Sequence, residues 1–163
     1  MPHVYVASPL GFSAATKGFY DEVLLPAIQA AGWTTLDPWA DLDGAIDESF
    51  RDAAWLSDDA KVQALRQINR SLGAANEELI RRADALFAVL DGTDVDSGTA
   101  AEIGFGAALG LPTIGLRLDT RLTGDNAGTT VNLQVQHFIE TRGGSVHRTV
   151  DDAVAALGRL TPA

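Results

Sequence analysis

No cysteine occurs among the 163 residues, which removes disulfides, thiolate nucleophiles and cysteine-bound metals at once. Lysine is nearly as scarce. Two lysines and ten arginines face 22 acidic residues, for a net charge of −10. Nucleic-acid polymers are therefore disfavoured as partners, because affinity for them rests on Lys and Arg neutralising phosphates. No apolar run approaches the ~18 residues of a membrane span, so no membrane association is expected. Met1-Pro2-His3 leads straight into a strand-like segment rather than a signal sequence, and the expected location is the cytoplasm. Internal repeats and linkers are also missing, so residues 1–163 are expected to form one domain. What is present suits a core: 46% of the residues are apolar and 21% charged.

Short apolar runs alternate with longer helical stretches, the pattern of a parallel sheet wrapped by helices. Strands are expected at Val4 to Ala7, Trp33 to Leu36, Ala85 to Leu90, Thr113 to Arg117 and Ser145 to His147. The third is apolar throughout, as a strand buried on both faces must be. Between them, helices are expected at Ala14 to Ala31, Lys61 to Arg82, Gly98 to Leu109, Thr130 to Arg142 and Val150 to Leu160. In the first helix Phe19, Val23, Ala27 and Ala30 share a face, and Pro26 is expected to kink or interrupt it. Asp37 to Asp59 is the least regular stretch, with Asp41, Asp43, Asp47, Glu48, Asp52, Asp58 and Asp59 among scattered aromatics. It reads as a binding loop or as a solvated acidic segment. The expected fold is a flavodoxin-like, doubly wound α/β domain with five parallel strands and helices on both faces.

Ligands of such a sheet bind beyond the carboxyl ends of the strands, where the strand order reverses. The two segments there are Ala7-Ser8-Pro9-Leu10-Gly11-Phe12 and the run from Asp91-Gly92 to Glu102. Asp96 or Ser97 can cap the helix that follows, turning backbone N–H groups toward the loop. Glu102 falls on its second turn, so both carboxylates can converge on one pocket. Gly98, Ala100, Ala101, Gly104 and Gly106 keep that helix slim. Asp96 reads equally well as a cap alone. A carboxylate among Ala and Gly is costly unless used or paired, which singles out Glu102. Other site classes fail on spacing: the acidic loop does not match a calcium loop, and no Gly-x-x-x-x-Gly-Lys phosphate cradle is present. A receiver domain would need an acidic pair after the first strand, and Gly104-Phe105-Gly106 lies inside a helix. His3, His137 and His147 sit on different elements, and neither Ser8 nor Ser97 has a histidine partner.

Val4-Tyr5-Val6-Ala7-Ser8-Pro9, Asn76 ahead of Arg82-Ala83-Asp84, Asp96-Ser97-Gly98-Thr99-Ala100-Ala101-Glu102-Ile103-Gly104 and Val131-Asn132-Leu133 together resemble the nucleoside 2-deoxyribosyltransferases. The segments follow the family's order over nearly the whole chain. The resemblance implies a flavodoxin-like subunit that cleaves the N-glycosidic bond of a 2′-deoxynucleoside and passes the sugar to another base, with no metal or organic cofactor. It makes Glu102 the nucleophile at C1′, Asp96 the group acting on the leaving base and Tyr5 the residue that orients the nucleophile. Asn132 would reach the sugar 5′-hydroxyl in a neighbouring subunit's site, which implies a homo-oligomer built from dimers, as a dimer, tetramer or hexamer. Substrate contacts are expected from Ala7, Ser8, Pro9 and Phe12, from Asn76, from Asp91, Gly92, Ser97 and Gly98, and from Asn132 and Gln134. Asn76 stands where the best-known members carry Asp, and Gln134 where they carry Met, two departures that bear on base preference. Partners are then deoxynucleosides and free nucleobases. A deoxynucleoside or deoxynucleoside 5′-monophosphate N-glycosidase, with water as acceptor, is the alternative; Ser8 and Ser97 could serve its phosphate. A non-catalytic nucleotide-sensing module on the same fold is a third reading, opposed by the joint presence of Tyr5, Asp96 and Glu102.

Overall fold

In the computed structural model, which describes residues 1–40 and 45–160, five parallel strands pair in the order β2-β1-β3-β4-β5. They are β1 (His3–Ala7), β2 (Thr34–Leu36), β3 (Ala85–Val89), β4 (Thr113–Leu116) and β5 (Ser145–His147). The expected doubly wound α/β sheet is therefore present. β1 and β3 are neighbours, yet β1 connects onward to β2 on one side and β3 to β4 on the other. Their carboxyl ends thus open a crevice at the switch point.

Period-two alternation sorts the side chains onto two cores. Val4, Val6, Phe87 and Val89 face one side with Tyr20, Leu24, Ile28 and Leu157. Tyr5, Ala7, Leu86 and Ala88 face the other with Ile80, Ile103, Val135 and Ile139. The same alternation puts Tyr5 on the face that carries Glu102.

The helices depart from expectation in three places. α1 (Ala14–Phe19) gives way to a π-helical turn over Tyr20–Leu24, then to α2 (Leu25–Ala30), with Pro26 in the first turn of α2. Proline has no N–H to donate and crowds the carbonyl four residues back, so the interruption falls where the ring forces it. The buried face is Tyr20, Leu24 and Ile28, not Phe19, Val23, Ala27 and Ala30; Val23 is 47% exposed. The larger apolar side chains at i, i+4 and i+8 take the core, and the π turn shifts the phase of the rest.

The second correction concerns Asp37 to Asp59, which is not irregular throughout: α3 (Ala45–Ala54) packs against α4 (Asp58–Arg81) as a helical pair. Asp58 and Asp59 open α4, where carboxylates meet the positive end of the helix dipole. Asp41 and Asp43, and the side chain of Asp47, lie outside the described residues. Third, α6 (Leu133–Glu140) is shorter than Thr130 to Arg142 because Asn132 caps its start. α5 (Ser97–Ala108) and α7 (Val150–Leu157) fall where expected, within the usual fraying of ends. α5 lies close on β3 because Gly106 has no Cβ; one would stand 2.7 Å from Leu86 Cδ1.

Candidate active site

Tyr5 ends up beneath α5, fully buried, and its hydroxyl donates to Glu102 Oε1 at 2.7 Å. Burial, reinforced by the carboxylate, pushes the Tyr5 hydroxyl far above its usual range, so it stays protonated and a donor. Glu102 is pushed up to about 7, chiefly by loss of solvation; the Tyr5 hydrogen bond lowers it, and the negative charge of Asp96 raises it further. A buried carboxylate raised toward neutrality beside a fixed donor, in a cleft, marks Glu102 as a candidate functional group.

Asp96 caps α5: its Oδ2 accepts from Thr99 N–H at 3.0 Å. Of the two expected roles of Asp96, the cap is present, and it uses one of the two carboxylate oxygens. Asp96 and Glu102 line the same cleft, about 220 Å³ in volume, with Ser8, Phe12, Asn76, Gly98 and Thr99. Pro38, Trp39 and Leu72 complete its walls. Asn76 comes from α4, and its amide has no hydrogen-bond partner among the described residues. Ser8 spends its Oγ on the N–H of Leu10 at 3.2 Å, and Phe12 stands 76% exposed at the rim.

Several expected contacts lie elsewhere. Asp91 accepts from the backbone N–H groups of Leu118 and Asp119, at 2.6 and 2.8 Å, and so ties the loop after β3 to the loop after β4. Gly92 offers its carbonyl to Arg117 in the same tie. Ala7 is core, and the Pro9 carbonyl closes a turn onto Phe12 N–H. Ser97 and Gln134 are exposed and do not line the cleft. Asn132 also lies outside it; its Oδ1 accepts from Gln134 and Val135 N–H, while Nδ2 has no partner among the described residues.

The sequence reading missed Trp39, Pro38, Leu72 and Thr99. Pro38-Trp39 directly after a strand bordering the switch point was the available signal. Arg117 was missed as well. It is fully buried with no ion pair among the described residues, and its guanidinium donates to the carbonyls of Leu90, Gly92 and Arg121. Among the described residues no group of three His, Asp or Glu is placed to hold a metal, and no helix is long and apolar enough to cross a membrane.

A carboxylate that accepts from a buried tyrosine hydroxyl, with a second carboxylate in the same cleft, is an arrangement that glycosyl chemistry on paired carboxylates can use. The sequence profile of the nucleoside 2-deoxyribosyltransferases matches residues 4–134, most of the length, and the chain belongs to that family. It is a nucleoside-processing enzyme of the deoxyribosyltransferase or N-glycosidase class. Its fold is shared with a 2-deoxyribosyltransferase from Leishmania mexicana (TM-score 0.64, 22% identity, 97% of each chain). It is shared too with a 2-deoxyribosyltransferase from Bacillus psychrosaccharolyticus (TM-score 0.62, 18% identity, 99% of this chain and 98% of that one). A CMP N-glycosidase from Clostridium botulinum aligns less closely (TM-score 0.52, 16% identity, 95% and 96%). No protein with a curated description matches the sequence significantly.

Proposed function

We propose that the protein transfers the 2-deoxyribosyl group between nucleobases through a covalent glycosyl-Glu102 intermediate. The observation that carries this reading is the Tyr5 hydroxyl donating to Glu102 Oε1 at 2.7 Å in a cleft that also holds Asp96. With Oε1 engaged, Oε2 is the oxygen for C1′. As the C1′–N bond breaks, its electron pair leaves with the base and an oxocarbenium-like centre develops, which the carboxylate stabilises and traps. Asp96 delivers the proton the departing base needs and takes one back from the acceptor base. The acceptor nitrogen then displaces Glu102 from C1′, and two inversions retain the β-configuration. Asn76 meets the base edge with an amide that both donates and accepts. Asn132 completes the site of a neighbouring chain, its free Nδ2 serving the sugar 5′-hydroxyl.

Water in place of the acceptor base would make the same intermediate a hydrolase. A 5′-phosphate calls for positive charge, and the described residues lining the cleft include two carboxylates and no Lys or Arg. Nucleosides are therefore favoured over 5′-monophosphates. Incubation with deoxyinosine, with and without adenine, tests the whole reading. Transfer yields hypoxanthine and deoxyadenosine only when adenine is present, whereas hydrolysis yields hypoxanthine and free sugar regardless. Intact mass after quenching should show a deoxyribosyl adduct on the wild type and none on Glu102→Ala. Substantial cleavage by Glu102→Ala would overturn the nucleophile assignment.

A further inference from the structure

We propose that Trp39 is the wall against which the flat leaving group rests, and that Tyr20 and Asp37 are the positioning residues that set it there. The inference rests on the cleft being a nucleobase site, and it concerns residues of the segment that follows β2 and of the π turn behind it.

Trp39 is held from every direction. Its Nε1 donates to the Ser8 carbonyl at 3.1 Å, and its backbone N–H donates to Asp37 Oδ1 at 2.9 Å. The indole lies against Gly11: a Cβ there would stand 2.4 to 2.9 Å from three of its ring carbons. Phe12 meets it edge-on, with centroids 4.5 Å apart and planes at 87°. Leu72 and Asn76 of α4 line the same cleft. An aromatic plane and an amide in one cleft suit a planar heterocycle with polar edges, which stacks and hydrogen-bonds at once.

The bracket behind the wall is what packing alone does not require. Tyr20 is fully buried in the opposite core, and its hydroxyl donates to Asp37 Oδ1 at 2.7 Å, the oxygen that also receives Trp39 N–H. Phenylalanine would fill the same core space. A phenol and a carboxylate taken out of water are retained at a cost unless their geometry is used. Here they lock the turn Asp37-Pro38-Trp39, so the wall is in place before a ligand arrives and less ordering is left for binding. Neither Tyr20 nor Asp37 lines the cleft. Their loss therefore weakens base binding; because the Asp37 charge also acts on Tyr5, Tyr20→Phe is the variant that leaves the charges around Glu102 unchanged.

The test uses Trp33→Phe/Trp55→Phe protein, in which Trp39 is the remaining tryptophan of three. Titration with adenine should quench its emission, and Tyr20→Phe or Asp37→Ala should weaken that binding about three- to tenfold, the worth of one hydrogen bond. In otherwise native protein, KM should rise by the same factor with kcat within about twofold. Asp37→Asn should restore KM, since an amide oxygen still accepts from both donors. Gly11→Ala, which displaces the indole without touching the bracket, should raise KM likewise. Unquenched Trp39 emission, or a fall in kcat at unchanged KM for Tyr20→Phe, would overturn the proposal. Normal quenching by adenine without cleavage of any nucleoside would count against the transferase reading alone and support the wall.

Discussion

Glu102 is where burial, hydrogen bonding and charge act on a single group. Desolvation lifts it from an ordinary value of 4.5 to about 7. The nucleophile must be ionised, so kcat/KM should decline on the acid side of about 7. Tyr5 opposes that lift by donating to the carboxylate. Removing the donor in Tyr5→Phe should move the acid limb to higher pH, and a pH–rate profile of both proteins checks the sign. A limb that stays put or moves down would remove Tyr5 as the orienting group.

The same shift is a statement about stability. The folded chain prefers Glu102 protonated, so the cost of holding it charged is absent below 4.5, builds up between 4.5 and 7, and is constant above. Glu102→Gln keeps the shape without the charge. It should be more stable than the wild type by ~1–3 kcal/mol at pH 8, an advantage that shrinks toward pH 5, as read by urea denaturation. Equal stability at both pH values would mean that the carboxylate is better solvated than its surroundings imply.

At the scale of elements, α5 joins structure and site, because Asp96 is both its N-cap and a wall of the cleft. Asparagine caps about as well as aspartate but is no acid. Asp96→Asn should therefore hold its melting temperature within a degree or two while turnover falls steeply. It also removes a negative charge near Glu102, so the acid limb should move down, opposite to Tyr5→Phe. Unchanged turnover would leave Asp96 a cap and nothing more.

The helix that carries these residues was legible beforehand, since Gly and Ala spacing, a capping aspartate and a costly carboxylate are local signals. The face of the first helix was not. A π turn at Tyr20–Leu24 shifts the periodicity, and period counting assumes a regular helix. The tie made by Asp91 was not legible either, for a related reason. An aspartate after a strand reads as a ligand contact, yet its partners are N–H groups 27 and 28 residues away, supplied only when β4 pairs with β3.

At the scale of the whole molecule, Asn132 is the residue proposed to act between chains. It stands outside the cleft of its own chain with one amide nitrogen uncommitted. If it serves a neighbour's site, mixing inactive Glu102→Ala with inactive Asn132→Ala subunits should restore activity, because some sites then hold both native residues. A fully active monomer in sedimentation at assay concentration would refute the shared site.

What the sequence determined by itself is whatever depends on spacing along the chain. That covers the alternation of strands and helices, the all-buried third strand, the break at Pro26 and the candidacy of Glu102 and Asp96. What only the tertiary structure decided depends on register between segments far apart. Tyr5 meets Glu102 across 97 residues because β1 pairs with β3 and α5 packs on the same face. Trp39 becomes a wall because Ser8, Gly11, Asp37 and Tyr20 converge on it, and Arg117 is tolerable in the core because three carbonyls from two loops surround it. Local periodicity reports which face of an element is apolar. It carries no record of which distant atoms that face will meet, because those contacts form only once the strands are paired.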